Sequence, residues 1–128
     1  MKKQLTKYIL ALTTIVVISC NRHQNEEDNY KVEIVTFSLK DTTEFDNFSK
    51  ASIDLKEFLF KIDGFEKRTL LKISDNKFQD ILIWKDDKSL SMADSLFLID
   101  PTAKKYASFM DTTSINFYYP EIINELKK

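Results

Sequence analysis

The 128-residue chain has one glycine, Gly64, and two prolines, Pro101 and Pro120. A single glycine cannot build the glycine-rich loops whose backbone amides cradle phosphates, so nucleotide-binding motifs of that kind are excluded. There is one cysteine, Cys20, and therefore no disulfide within the chain. Packing alone must hold the fold. The one histidine, His23, lies in the stretch NRHQNEEDN (21–29), which contains no apolar residue and offers no partners for metal ligation or catalysis. No repeat or low-complexity segment interrupts the rest. No Ser/His/Asp set can be assembled without inventing contacts, and the acidic residues read as spread over solvent faces, with no paired carboxylates for acid–base work.

What is present begins with a targeting pattern. Lys2, Lys3 and Lys7 form a basic start, residues 8–18 are mostly apolar, and small Ser19 precedes Cys20. The apolar stretch is shorter than the ~20 residues a spanning helix needs, so residues 1–19 are expected to be a signal peptide. Val17, Ile18, Ser19 and Cys20 resemble the bacterial lipobox, which implies that Cys20 receives a diacylglyceryl group and a further acyl chain as the new N-terminus. More than one chain makes anchoring stable, at about 0.8 kcal/mol per buried methylene. The expected setting is the bacterial cell envelope, with the protein held to membrane lipid through Cys20, at an outer membrane and facing periplasm or surface. Residues 20–29 then form a lipidated cysteine and polar tether. The acidic run Glu26, Glu27, Asp28 is reminiscent of export signals on surface-displayed lipoproteins. After removal of residues 1–19, sixteen basic residues face twenty acidic ones, a net charge of −4. That balance argues against nucleic acid as a partner.

Residues 30–128 are expected to form one domain. Residues 31–39 (KVEIVTFSL) are rich in β-branched and aromatic residues and read as a strand. Phe45, Phe48, Ala51, Leu55, Phe58, Leu59 and Ile62 recur every three or four residues, which predicts an amphipathic helix stopping at Asp63 and Gly64. Residues 65–74 and 78–84 read as a hairpin around Asp75, Asn76 and Lys77. A two-residue loop would set Leu71 against Asp80. A three-residue loop pairs Lys72 with Asp80, Leu70 with Leu82 and Arg68 with Trp84, and is favoured because it matches opposite charges and stacks a guanidinium on the indole. Asp86 or Asp87 caps a second helix with Leu90, Ala93, Leu96 and Phe97 on its buried face, and Asp100-Pro101 restarts it towards Phe109. Residues 113–119 (TSINFYY) read as the last strand, and Ile122, Ile123 and Leu126 of the tail are expected to dock as a partial turn.

The order βαββαβ gives an α+β fold, a four-stranded antiparallel sheet with both helices on one face. The strands nonetheless carry apolar residues on both faces, as in residues 34–37, 81–84 and 115–119. The open face needs a cover, and two copies stacked sheet on sheet would supply it, so a homodimer is expected.

The motifs VEIVTFSLKD (32–41), Gly64-Phe65, DILIWKDDKSLSMAD (80–94) and FMDTTSINFYY (109–119) together resemble the dimeric α+β barrel proteins, the ferredoxin-like group that includes the antibiotic biosynthesis monooxygenases. The resemblance implies two sheets packed into a barrel and a pocket in each subunit between sheet and helices. Haem-degrading members use an asparagine on the first strand, a tryptophan within the second helix and a later histidine. Residues 31–40 contain no asparagine, Trp84 precedes the helix, and residues 30–128 contain no histidine, so haem chemistry is not expected and no cofactor is assigned. The candidate ligand pocket comprises Trp84, Tyr106 and Tyr118, with Arg68 beside the indole. The expected function is binding of a small apolar or aromatic molecule, or service as an interaction module. The alternative implied by the resemblance is a cofactor-independent monooxygenase acting on a small aromatic substrate.

Overall fold

The computed structural model describes residues 29–128. The signal-peptide reading of residues 1–19, the lipidation of Cys20 and the tether up to residue 28 lie outside the described residues. The elements run β1 (Lys31–Phe37), α1 (Phe45–Asp54), α2 (Lys56–Leu59), β2 (Phe65–Ser74), β3 (Lys77–Trp84), α3 (Asp87–Phe97), α4 (Pro101–Ala107) and β4 (Asn116–Tyr118). All pairings are antiparallel in the order β2-β3-β1-β4, the ferredoxin-like α+β arrangement. None of the described helices is long and apolar enough to cross a membrane.

The two helices of the second half, α3 and α4, start where a short polar side chain takes an orphan amide. Asp86 accepts from the Ser89 amide at 2.8 Å, and Asp100 accepts from Thr102 and Ala103, with Pro101 in the first turn. The long helix expected from Phe45 to Ile62 is divided at Leu55 into α1 and α2. Its apolar stripe still faces the sheet as one surface, with Phe48, Leu55, Phe58 and Ile62 all buried. Phe37, Phe48, Phe78 and Tyr106 interlock at centroid distances of 5.1–6.2 Å and fill one half of the space between sheet and helices.

The hairpin differs from both expected registers. Asp75 and Asn76 make a two-residue turn closed by Ser74 and Lys77, but one extra residue on β2, Ile73, then shifts the pairing so that Lys72 faces Phe78, Leu70 faces Asp80 and Arg68 faces Leu82. No non-glycine residue described has positive φ, so the turn cannot take the primed form that fits strand twist, and the extra residue absorbs the mismatch. The favoured register was two residues out, an even slip that leaves every side chain on its expected face. Arg68 and Asp80 therefore still share the helix-covered face, whereas the expected pairing of Arg68 with Trp84 is replaced. The Asn76 amide also bonds both backbone groups of Leu39, at 3.0 and 3.3 Å, tying the turn to the chain after β1.

The tail does not dock as expected. Residues 120–128 form no element, and Ile122, Ile123 and Leu126 are 47%, 85% and 96% exposed, the chain after Pro120 bordering an open groove beside Val32 and Leu90 without closing it. Leu96, expected to be buried, is exposed, since Ala93 and Phe97 take the inward side of α3.

Gly64 closes the first half of the chain at φ +87°, and its carbonyl accepts from the Lys85 amide at 2.7 Å. A Cβ there would approach Ser89 Oγ to 2.0 Å and Ser89 Cβ to 2.8 Å. Gly64→Ala is expected to lower unfolding free energy by about 2 kcal/mol or more, combining left-handed strain with a displaced α3. Urea denaturation followed by circular dichroism measures it, and an unchanged midpoint would contradict this account of the cap.

Candidate functional site

The other half of the space between sheet and helices is hollow. A cavity of about 360 Å³ lies between β1, β3 and β4 on one side and α2, α3 and α4 on the other. Small Ala93 on α3 faces it where a larger side chain would close it. Leu82, Phe58 and Phe97 make apolar walls.

Strand alternation decides which side chains reach this cavity. On β1, Glu33, Val35 and Phe37 point inward, and on β3 Asp80, Leu82 and Trp84 do so. On the last strand Phe117 lies opposite Val35, so Phe117 and Tyr119 line the cavity and Tyr118, opposite Ile34, faces the other side of the sheet. Of the expected pocket residues, Trp84 and Tyr106 line the cavity, Tyr118 does not, and Arg68 stands behind Tyr106. The Tyr118 assignment is corrected by one position in the alternation. The Arg68 guanidinium lies 4.8 Å from the Tyr106 ring centroid, and its charge goes to Asp80.

Two carboxylates are buried here, contrary to the expectation that the acidic residues lie on solvent faces. Asp80 is 3% exposed and Glu33 is 6% exposed. Asp80 accepts three bonds from Arg68 at 2.7–2.9 Å and one from the Tyr106 hydroxyl at 2.8 Å. Arg68 also donates to the carbonyl of Ser52 at 2.7 Å. Burial works against the guanidinium charge, but the bonds to Asp80 outweigh it and the Arg68 pKa is raised. Burial and the neighbouring Asp80 charge push the Tyr106 hydroxyl well above its ordinary value.

Glu33 has no such cation. Its Oε2 accepts from Trp84 Nε1 at 3.1 Å. Desolvation, with the negative charges of Asp94 and Asp80 acting against the Trp84 bond, pushes its pKa to about 7. At the mouth of the cavity Asp94 and Tyr119 are exposed, and both titrate above their ordinary values, Asp94 through partial burial and Tyr119 through partial burial and the two nearby carboxylates. Glu33 and Asp80 were legible only as polar residues amid apolar strand neighbours, and without knowing which face was covered that signal is ambiguous.

The arrangement provides an apolar chamber with one group, Glu33, that can hold or release a proton near neutral pH. Among the described residues no three His, Cys, Asp or Glu side chains come together as metal ligands.

Comparison with solved structures gives the same architecture. SnoaB, a cofactor-independent oxygenase from Streptomyces nogalater, is 18% identical, with a TM-score of 0.60 over 78% of this chain and 99% of that one. A monooxygenase from the gene ActVA-Orf6 of Streptomyces coelicolor, solved with the ligand nanaomycin D, is 14% identical, with a TM-score of 0.60 over 81% and 96% of the two chains. A dimeric ferredoxin-like protein from an uncultured marine organism is 12% identical, with a TM-score of 0.59 over 80% and 95%. What is shared is the fold. No protein-family model matches the chain, and no curated protein matches it.

The raised pKa of Glu33 has a sign that can be worked out. The folded state binds its proton more tightly than the unfolded chain does, so this contribution to stability is complete below the ordinary glutamate value of 4.5 and is lost as pH rises through about 7. Glu33→Gln keeps an acceptor for Trp84 and removes the titration. The variant is expected to gain roughly 2–3 kcal/mol over the parent at alkaline pH and little near pH ~4.5, read from urea midpoints across pH. Parallel pH profiles for the two proteins would contradict the placement of Glu33.

Proposed function

We propose that this domain binds a small, largely apolar or aromatic molecule in the cavity between sheet and helices. The observation that carries the reading is the chamber itself. At about 360 Å³ it lies in the range of ligand sites, its walls are apolar, and its polar groups converge from β1 and β3. The proposal includes a homodimer stacked through the open sheet face, where Ile34, Ile81 and Ile83 stay partly open and Leu71 and Tyr118 are 40% and 53% exposed. It also includes anchorage of the exported protein to a bacterial membrane through Cys20, which rests on the lipobox-like sequence alone.

A second reading, oxidation of a small aromatic substrate without a cofactor, is favoured by one further observation. Glu33, in an apolar chamber, is poised to take the proton of an acidic hydroxyl, which leaves an electron-rich anion. The fold likeness to the Streptomyces oxygenases is consistent with it.

Native mass spectrometry of the full chain, compared with the denatured sample, tests binding and dimerisation together. A dimer carrying an extra small mass that is lost on denaturation is expected, and Ile81→Asp is expected to yield a folded monomer. A parent protein that is itself monomeric would overturn the stacked-sheet part. Oxygen consumption with a panel of quinols separates the two readings, since a binding domain consumes none.

A further inference from the structure

Three carboxylates line or border the cavity, and they are not equivalent. Asp80 has both oxygens engaged, Oδ1 by Arg68 and Oδ2 by Arg68 and the Tyr106 hydroxyl. Glu33 has one filled oxygen, Oε2, and its Oε1 has no hydrogen-bond partner among the described residues. No fully enclosed side-chain oxygen or nitrogen among those residues lacks a partner, so Oε1 meets the open space of the cavity and not a wall. Glu33 is thus a deeply buried acid with an acceptor left open towards the chamber. Asp94 on α3 adds a second negative charge at the mouth, and none of the described lining residues is Lys, Arg or His. The titratable groups that face Glu33 are all acids, Asp80 from β3, Asp94 from α3 and the Tyr119 phenol just after β4, and Trp84 adds its indole N–H as a donor.

An apolar chamber with an open carboxylate and no basic lining residue complements a ligand that brings the missing positive charge. A neutral ligand would leave Glu33 desolvated and unpaired, whereas an ammonium would pair with Oε1 by a charge-assisted bond. The rings of Trp84, Phe58 and Phe97 line the same space and suit an organic cation. A bare metal ion fits less well, because no three ligating side chains converge among the described residues.

We propose that the cavity selects an apolar primary amine, aromatic or aliphatic, with the ammonium on Glu33 and the hydrocarbon between β3 and α3. This rests on the reading of the cavity as a ligand site and names the ligand's chemical class. Where Glu33 still carries its proton it releases it to solvent as the ammonium binds, and Asp94 draws cations towards the mouth.

The test uses the full chain and two probes of nearly equal shape, 2-phenylethylamine and 2-phenylethanol, followed by Trp84 fluorescence and calorimetry. At about pH 8 the amine is expected to bind about tenfold more tightly than the alcohol. At about pH 5.5, where Glu33 holds its proton, that advantage is expected to shrink, and in Glu33→Gln it is expected to vanish. The pH profile of the unsubstituted chain carries the same test should the variant fail to fold. Equal affinities at both pH values would overturn the choice of amines and leave the cavity's binding role standing. An advantage that survives Glu33→Gln would remove Glu33 as the recognising group. Binding of neither probe would overturn this inference, and an empty cavity in native mass spectra would take the broader reading with it.

Discussion

The Asp80 carboxylate is the constraint on which the domain depends. It sits on the inner strand β3, almost sealed from solvent, and its bonds reach β2 through Arg68 and α4 through Tyr106. Arg68 extends the link to α1 by its bond to the Ser52 carbonyl. Removing one partner of a buried ion pair leaves an uncompensated charge that costs about 3–5 kcal/mol, so these three side chains are coupled. With no disulfide available, this polar knot and the aromatic block beside it hold helices to sheet.

The knot also decides which chemistry is left for the cavity. Asp80 spends its acceptors on the protein, so it shapes the wall without being free to act. Tyr106 spends its hydroxyl on Asp80, and Arg68 is turned away behind it. Glu33 is the group left over, held by the indole at one oxygen only. The difference between two acids on adjacent strands, opposite in role, comes from the presence of one guanidinium on β2 and its absence near β1.

The order of elements was legible because alternation and three-to-four spacing are strong in this chain, as in the Phe45 to Ile62 stripe and residues 78–84. The faces of the hairpin were legible for the same reason, since a slip by an even number of residues preserves them. Its register was not, because the extra residue at Ile73 follows from backbone handedness at Asp75 and Asn76 and not from side-chain pattern. In the cavity, Trp84 and Tyr106 were within reach of sequence reasoning as aromatic residues in strand and helix. Tyr118 was named in place of Phe117 and Tyr119, a single step of alternation among three consecutive aromatics where composition gives no phase. Glu33 and Asp80 were missed because a lone acid in an apolar strand reads equally well as pointing to water.

These features place stability and function in different halves of the same layer. The half under α1 is filled by Phe37, Phe48, Phe78 and Tyr106 and carries the ion pair. The half under α3 is hollow, holds an acid whose ionised form is disfavoured by its surroundings, and opens between exposed groups on α3 and β4. A hollow, half-polar chamber contributes less to folding than a packed core of the same area, because its walls lack partner atoms. The rigid half therefore has to fix the positions of β1 and β3 before the open half can present Glu33 at a defined place. Glu33 and Asp80 stand on neighbouring paired strands, so the knot that anchors the fold also sets the floor of the cavity.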